Sequence, residues 1–264
     1  FGFKGIPGFD NSRMQCWEVL NNGHPLCNFT EYSSEYFDKN WEDAFEARYD
    51  EDNPRVEDLK RFCEWMYSMR WCDANGNPLP DVPDAFERKE RFKTEKWNHF
   101  DVYKMAAYFI YVMRFGAVDQ TVKNSMFTSE DGEKFYFINY DNDTILGLKN
   151  DGSLRFNPDV DRRSIDPSFT DADDDVYVYA GHDSTLWNNL EADEEFMEIV
   201  KEVDHALYSA GLTYDNMINM FEGEQTSKWC ERVFNRDAQY KYISPDNGRL
   251  LSLQGPRDAH RRWW

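Results

Sequence analysis

The period of the hydrophobic pattern changes abruptly at Gly116–Asp119, and no other feature constrains the fold as strongly. Before the change, Met105, Ala106, Phe109, Val112 and Met113 recur at helical spacing between Phe100 and Phe115. Gly116 supplies a stop, because its backbone tolerates the conformation in which helices end. After the change, Asn124 to Thr128 and Lys134 to Tyr140 have the composition of strands. Ser129-Glu130-Asp131-Gly132 between them predicts a hairpin with a glycine-containing turn. A helix that feeds a hairpin without an intervening linker must pack on it or near it.

The flanks are mostly helical. Val56, Leu59, Phe62, Cys63, Met66 and Met69 fall on one face of a predicted helix from Val56 to Trp71. Pro54 precedes it, and Asp73-Ala74-Asn75-Gly76-Asn77-Pro78 ends it. Asp84 is placed to cap the charged helix FERKERFKTEKW, whose Lys89, Lys93 and Lys96 read as a solvated face. Glu191 to Ala210 predicts one long helix with Phe196, Ile199, Val200, Val203, Ala206 and Leu207 on its buried face. Gly211 stops it, and a further helix starts near Thr213. Residues 1–54 read as an irregular extension, with Trp41 to Tyr49 either strand or short helix. Residues 157–175 read as a polar loop, Val176 to Ala180 as strand-like, and residues 246–264 as an extended segment. The expected class is α+β, mainly helical, around a central β-hairpin, with the main domain over residues 55–245.

Charge narrows the partners. Lys and Arg total 30 against 50 Asp and Glu, a formal charge of -20. Such a surface repels phosphate backbones, so general nucleic-acid binding is not expected. It suits divalent cations or a basic partner surface. The five cysteines, Cys16, Cys27, Cys63, Cys72 and Cys230, are odd in number and show no C-x-x-C spacing, so buried thiols are expected rather than a disulfide or zinc framework. The best apolar run, Met105 to Val112, is too short to span a membrane, and no signal peptide is visible. Because it starts at Phe1, the chain is expected to be a fragment or a processed product.

Two polar patterns flank the hairpin. Asp119 is followed five residues later by Asn124, and Tyr140-Asp141-Asn142-Asp143-Thr144 leads to Gly147. The hairpin returns the chain, so both can meet at one end of it. Phosphoryl transfer needs such a set: one carboxylate orients a hydroxyl, while an amide oxygen and a second carboxylate hold a metal ion against phosphates. Blander readings remain open. Asp119 and Asn124 suit a post-helical turn, and Asp141 and Asp143 suit an acidic loop or a non-catalytic Mg²⁺ or Ca²⁺ site. Asp171, Asp173, Asp174 and Asp175 lack the glycine and glutamate of an EF-hand and read as a solvated loop. His182-Asp183-Ser184 is not framed by a G-x-S-x-G elbow. Trp187, Trp229, Trp263 and Trp264 read as core or interface anchors.

Tyr108 to Gly147 resembles the core of the CotH family, the spore-coat kinase-like proteins. In that family an apolar helix leads to an Asp…Asn loop, and an aromatic strand then runs into a D-x-D motif with glycine soon after. Asp119, Asn124, Phe135-Tyr136-Phe137-Ile138 and Asp141-Asn142-Asp143-Thr144-Ile145-Leu146-Gly147 follow that order. The resemblance implies a fold like the C-terminal lobe of a kinase. It also implies Asp119 as catalytic base and Asn124, Asp141 and Asp143 as metal ligands. ATP would be a cofactor only if the chain is an active kinase. The sequence departs from a complete kinase: it has no G-x-G-x-x-G, and Gly2, Gly5 and Gly8 are not framed by strands.

A second resemblance covers residues 40 to 245. DNDTILGLKNDGSLRF, HDSTLWNNL and LTYDNMINMFEGEQTSKWCERVFNRDAQYKYISP are similar to large virion proteins of crAss-like and related short-tailed bacteriophages, which form the distal tail or muzzle. It implies a structural tail component built on a kinase-like core, which would make the core an incomplete rather than a working enzyme. Its partners would be other tail proteins and copies of itself in a ring. It would be assembled in the host cytoplasm and located in the virion. A CotH-type protein kinase and a host-surface glycan- or receptor-binding module are the alternative functions.

Overall fold

A computed structural model describes residues 12–142, except 22, 83, 116, 118 and 122, together with 184–223 and 228. The chain divides into two compact units. One is built from Phe1–Ile110, Asp119–Asp141 and Tyr179–Val203, the other from Tyr111–Val118, Asn142–Val178 and Asp204–Trp264.

The first unit is organised by a four-stranded antiparallel sheet, in the order β2-β1-β3-β4. The strands are β1 (Gln15–Val19), β2 (Phe45–Ala47), β3 (Ser125–Ser129) and β4 (Phe135–Asn139). The predicted hairpin is therefore present as β3–β4, each strand one residue from its expected start. Its turn forms because Asp131 Oδ1 accepts from the backbone N–H groups of Glu133 and Lys134, both at 2.8 Å. Gly132 sits at φ +77, where an added Cβ would also meet Asp58 Oδ2 at 3.1 Å, so no other residue fits this corner without strain.

The expectation of irregular structure before residue 54 is corrected. β1 lies at the centre of the sheet, pairing with β2 on one side and β3 on the other. Pro25–Asn28 forms the short helix α1, and Ser34–Ala44 forms α2, capped by Ser33. The ambiguous Trp41 to Tyr49 segment is both things at once, the end of α2 followed by β2. Local composition cannot reveal this, since β1 finds its partner more than a hundred residues downstream.

One face of the sheet carries the row Ala47, Trp17, Phe127, Phe137. Helix α3 (Val56–Ser68) lays its predicted stripe against that face. Phe62 is the contact point, with its ring centroid 4.4 Å from Phe127, 4.9 Å from Phe135 and 5.4 Å from Phe100. The first turn of α3 is also tied to β1. Asp58 is buried and accepts from Arg55 Nε at 2.6 Å, from Gln15 Nε2 at 3.2 Å and from Arg61. Helices α4 (Ala85–His99) and α5 (Val102–Phe115) follow. Burial holds the thiols of Cys16, Cys27 and Cys63 above their ordinary pKa, Cys27 at about 12. Together with Cys72 they are free and buried, as expected; Cys230 lies outside the described residues.

The helix predicted over Glu191 to Ala210 is present as α7 (Glu194–Ser209), starting three residues later, and a separate short helix, α6 (Thr185–Glu191), precedes it. Asp193 sits in the break, and its Oδ1 accepts from the Phe196 backbone N–H at 3.2 Å, capping α7. The solvated reading of Lys96 is corrected too. Its side chain is fully buried, with Nζ 2.9 Å from Asp193 Oδ2 and 2.6 Å from Glu195 Oε2, and it donates to the Lys93 carbonyl at 2.7 Å. A charged helix face gave no sign that one of its lysines turns inward.

In the second unit Arg114 Nε donates to Asp204 at 2.8 Å, and the Tyr111 hydroxyl donates to Asn142 Oδ1 at 2.5 Å. Helix α8 (Tyr214–Glu222) starts where expected, with Thr213 Oγ1 accepting from the Asn216 N–H. Met113 is exposed rather than part of the α5 stripe, and Ala206 is exposed on α7. Among the described residues no helix is long and apolar enough to cross a membrane. Residues 157–175, Val176 to Ala180 and residues 246–264 lie outside the described residues.

Removing one partner of a buried ion pair strands the other, which typically costs about 3–5 kcal/mol. Lys96→Met should therefore destabilise the protein by about that amount in urea unfolding. Lys96→Met with Asp193→Asn should cost less than the two single changes summed, since Asn still caps α7.

Candidate functional site

The open end of the β3–β4 hairpin is where the two polar patterns lie. After α5 the chain forms a single 3-10 turn, Asp119–Thr121, and enters β3 through Asn124. At the other strand, β4 ends at Asn139 and leads to Tyr140 and Asp141. The backbone N–H of Tyr140 donates to the Asn124 carbonyl at 3.1 Å, extending the strand pairing by one step.

Beyond that step the ladder ends and a side chain takes over. Gln120 is fully buried, and its Nε2 donates to the carbonyls of Tyr140 at 3.0 Å and Asp141 at 2.5 Å. The turn itself is braced from behind. The Tyr108 hydroxyl of α5 donates to the Gln120 carbonyl at 2.6 Å, and Trp187 Nε1 of α6 donates to the Thr121 carbonyl. The Trp187 ring lies 5.9 Å from Phe109 and 6.4 Å from Tyr108, centroid to centroid. It is a core anchor, as its sequence context predicts.

The backbones of Asn124 (φ +56) and Asp141 (φ +51) both lie in the left-handed region. Asn and Asp tolerate that region better than other residues with a side chain, but holding them there still costs of order 1–3 kcal/mol each. Asn124 is 8 % exposed, and no hydrogen bond joins its carboxamide to another described residue. Asp141 is exposed.

Of the four residues singled out from sequence, Asn124 and Asp141 are thus brought to one end of the hairpin. Asp119 is adjacent through the backbone of its 3-10 turn. The Asp119 side chain and all of Asp143 lie outside what is described. Among the described residues no three His, Cys, Asp or Glu side chains form a metal-sized cluster. The oxygens on offer are carboxylate and carboxamide, the hard donors that Mg²⁺ and Ca²⁺ take.

Sequence reasoning missed Gln120, Tyr108 and Trp187 as parts of this end. Gln120 occupies an unspecified place inside the Asp119…Asn124 spacing, where nothing marks one polar residue above another. The β2 edge of the sheet carries a cation. Arg48 Nε donates to Glu18 at 2.6 Å and its Nη1 to Glu46 at 2.9 Å. The hydrogen bond to Glu18 holds the guanidinium above its ordinary pKa.

The family described as CotH kinase protein matches residues 30–243. This chain belongs to the CotH family. The matched span takes in α2 to α8, both polar patterns and the hairpin between them. β1 lies before its first residue, so one of the two inner strands of this CotH sheet comes from outside the matched span. None of the curated proteins matches the chain.

Glycine accepts a positive φ without strain. In this CotH chain, Asn124→Gly should therefore shift the melting temperature by less than about 4 °C. Asn124→Val should instead lower the melting temperature, because a β-branched residue is strained at that φ.

Proposed function

We propose that this CotH chain is a phosphotransferase that takes a divalent cation and ATP at the open end of the β3–β4 hairpin. The observation that carries the reading is the bridge by Gln120 from the Asp119–Thr121 turn to the Tyr140 and Asp141 carbonyls. Through that bridge the 3-10 turn that carries Asp119 is joined to Asp141. Asn124 and Asp141 would hold Mg²⁺ or Ca²⁺, each offering a hard oxygen donor at that end of the hairpin. Asp119 would accept the proton of the attacking hydroxyl. A cation bound there supplies charge neutralisation for phosphate oxygens.

Incubation with radiolabelled ATP and Mg²⁺ or Mn²⁺ should label an acceptor protein or the chain itself. Asp119→Ala should abolish the label while leaving the melting temperature nearly unchanged. Failure of the wild-type chain to bind ATP in the presence of either metal would sink the reading.

A second reading is favoured by the resemblance of residues 40 to 245 to distal-tail proteins of short-tailed phages. In that reading the CotH core serves as a scaffold in a ring of copies within a virion, joined to other tail proteins. The excess of acidic residues, a formal charge of -20, suits a basic partner surface. Mass spectrometry of purified particles should then find the chain in stoichiometric amounts. Absence from the particle removes this reading.

A further inference from the structure

We infer that Gln120 is a positioning residue, setting the distance between the two halves of the proposed metal–nucleotide site. The inference rests on the reading of the hairpin end given above.

The orientation of its carboxamide is fixed by chemistry. Both partners, the Tyr140 and Asp141 carbonyls, are acceptors, so the NH₂ group must face them and Oε1 must face away. That Oε1 is buried and meets no donor among the described residues. An orphaned buried oxygen is a cost to the fold. A methionine of similar length would fill the same space without it. The glutamine is thus poorly chosen for stability alone, and what it adds over an apolar side chain is its pair of donated bonds.

Those bonds act at a strained point. Asp141 sits at φ +51, and the last backbone bond of the ladder is one residue earlier, from Tyr140 N–H to the Asn124 carbonyl. Among the described residues, the bond from Gln120 Nε2 is what meets the Asp141 carbonyl. Without it the Asp141 peptide can relax to a negative φ, which changes the direction in which its side chain leaves the hairpin. The base from which Gln120 reaches is itself immobile. Its own carbonyl accepts from the Tyr108 hydroxyl and the next carbonyl from Trp187 Nε1. A short side chain on a braced turn can therefore dictate where the acidic loop begins.

Residues that orient metal ligands without touching the metal are typically worth 10–100-fold in affinity. The test compares wild type, Gln120→Met and Gln120→Glu by Mn²⁺ electron paramagnetic resonance titration with and without ATP, alongside thermal melts in chelator. Gln120→Met should bind Mn²⁺ and Mn²⁺–ATP at least about tenfold more weakly. Its melting temperature in chelator should stay within about 4 °C of wild type. Gln120→Glu should bind poorly at pH 8 and recover relative to wild type towards pH 6. Protonation turns its repelling carboxylate into a donor to the same carbonyls. A purely structural role would lower the melting temperature and leave affinity and its pH profile unmoved, which would overturn the inference. So would wild-type affinity in Gln120→Met, even if Gln120→Glu failed to fold. A wild-type chain that binds neither Mn²⁺ nor Mn²⁺–ATP would overturn the phosphotransferase reading and this inference together, an outcome distinct from the first two.

Discussion

Three packed rings hold the first unit together. Phe127 and Phe135 face each other across the hairpin with centroids 4.3 Å apart, and Phe62 of α3 closes on both. Aromatic contacts of this kind add about 0.5–1.5 kcal/mol each beyond the area they bury. Their larger effect is geometric. They fix the hairpin against α3, and β1 then has one register in which Trp17 lies beside Phe127 and its neighbours remain buried. A slip of one residue would turn that face outward. Everything at the open end of the hairpin, including the spacing of Asn124 from Asp141, is referred to this stack.

Helix α6 performs the matching task with polar atoms. It has seven residues, too few to be stable alone, yet it donates hydrogen bonds to carbonyls from four separate segments. Thr185 Oγ1 reaches the Phe29 carbonyl at 2.6 Å, Asn188 the Asp73 carbonyl at 3.2 Å and Asn189 the Met69 carbonyl at 3.1 Å. Trp187 reaches Thr121. These carbonyls lie at loop and helix ends, where backbone acceptors lack internal partners. Lys96 then secures the junction from α6 to α7 through Asp193. A buried pair of this kind contributes little net stability but penalises arrangements that separate it.

The same logic links packing to the CotH site. Backbone pairing brings the chain as far as Asn124 and Tyr140, and a side chain carries the connection one residue further to Asp141. Asp141, where that connection ends, keeps its carboxylate exposed to solvent.

The sequence alone determined the elements whose signal is local. The hairpin, α3, α5 and the start of α8 follow from periodicity, turn residues and caps, all of which act within a few residues. The order Asp119, Asn124, hairpin, Asp141 was legible too, because a hairpin of known length must bring its ends together. It carried the CotH resemblance that the match over residues 30–243 establishes. Only the tertiary structure decided what depends on distant partners. β1 is a central strand because β3, over a hundred residues away, supplies its ladder. Lys96 is buried because Asp193 is there to receive it. The break between α6 and α7 exists because Asp193 caps the second helix while it holds that lysine. Gln120 became part of the site only when the fold put two carbonyls within its reach. Hydrogen bonds and ion pairs depend on distances, and sequence spacing fixes distance only within an element.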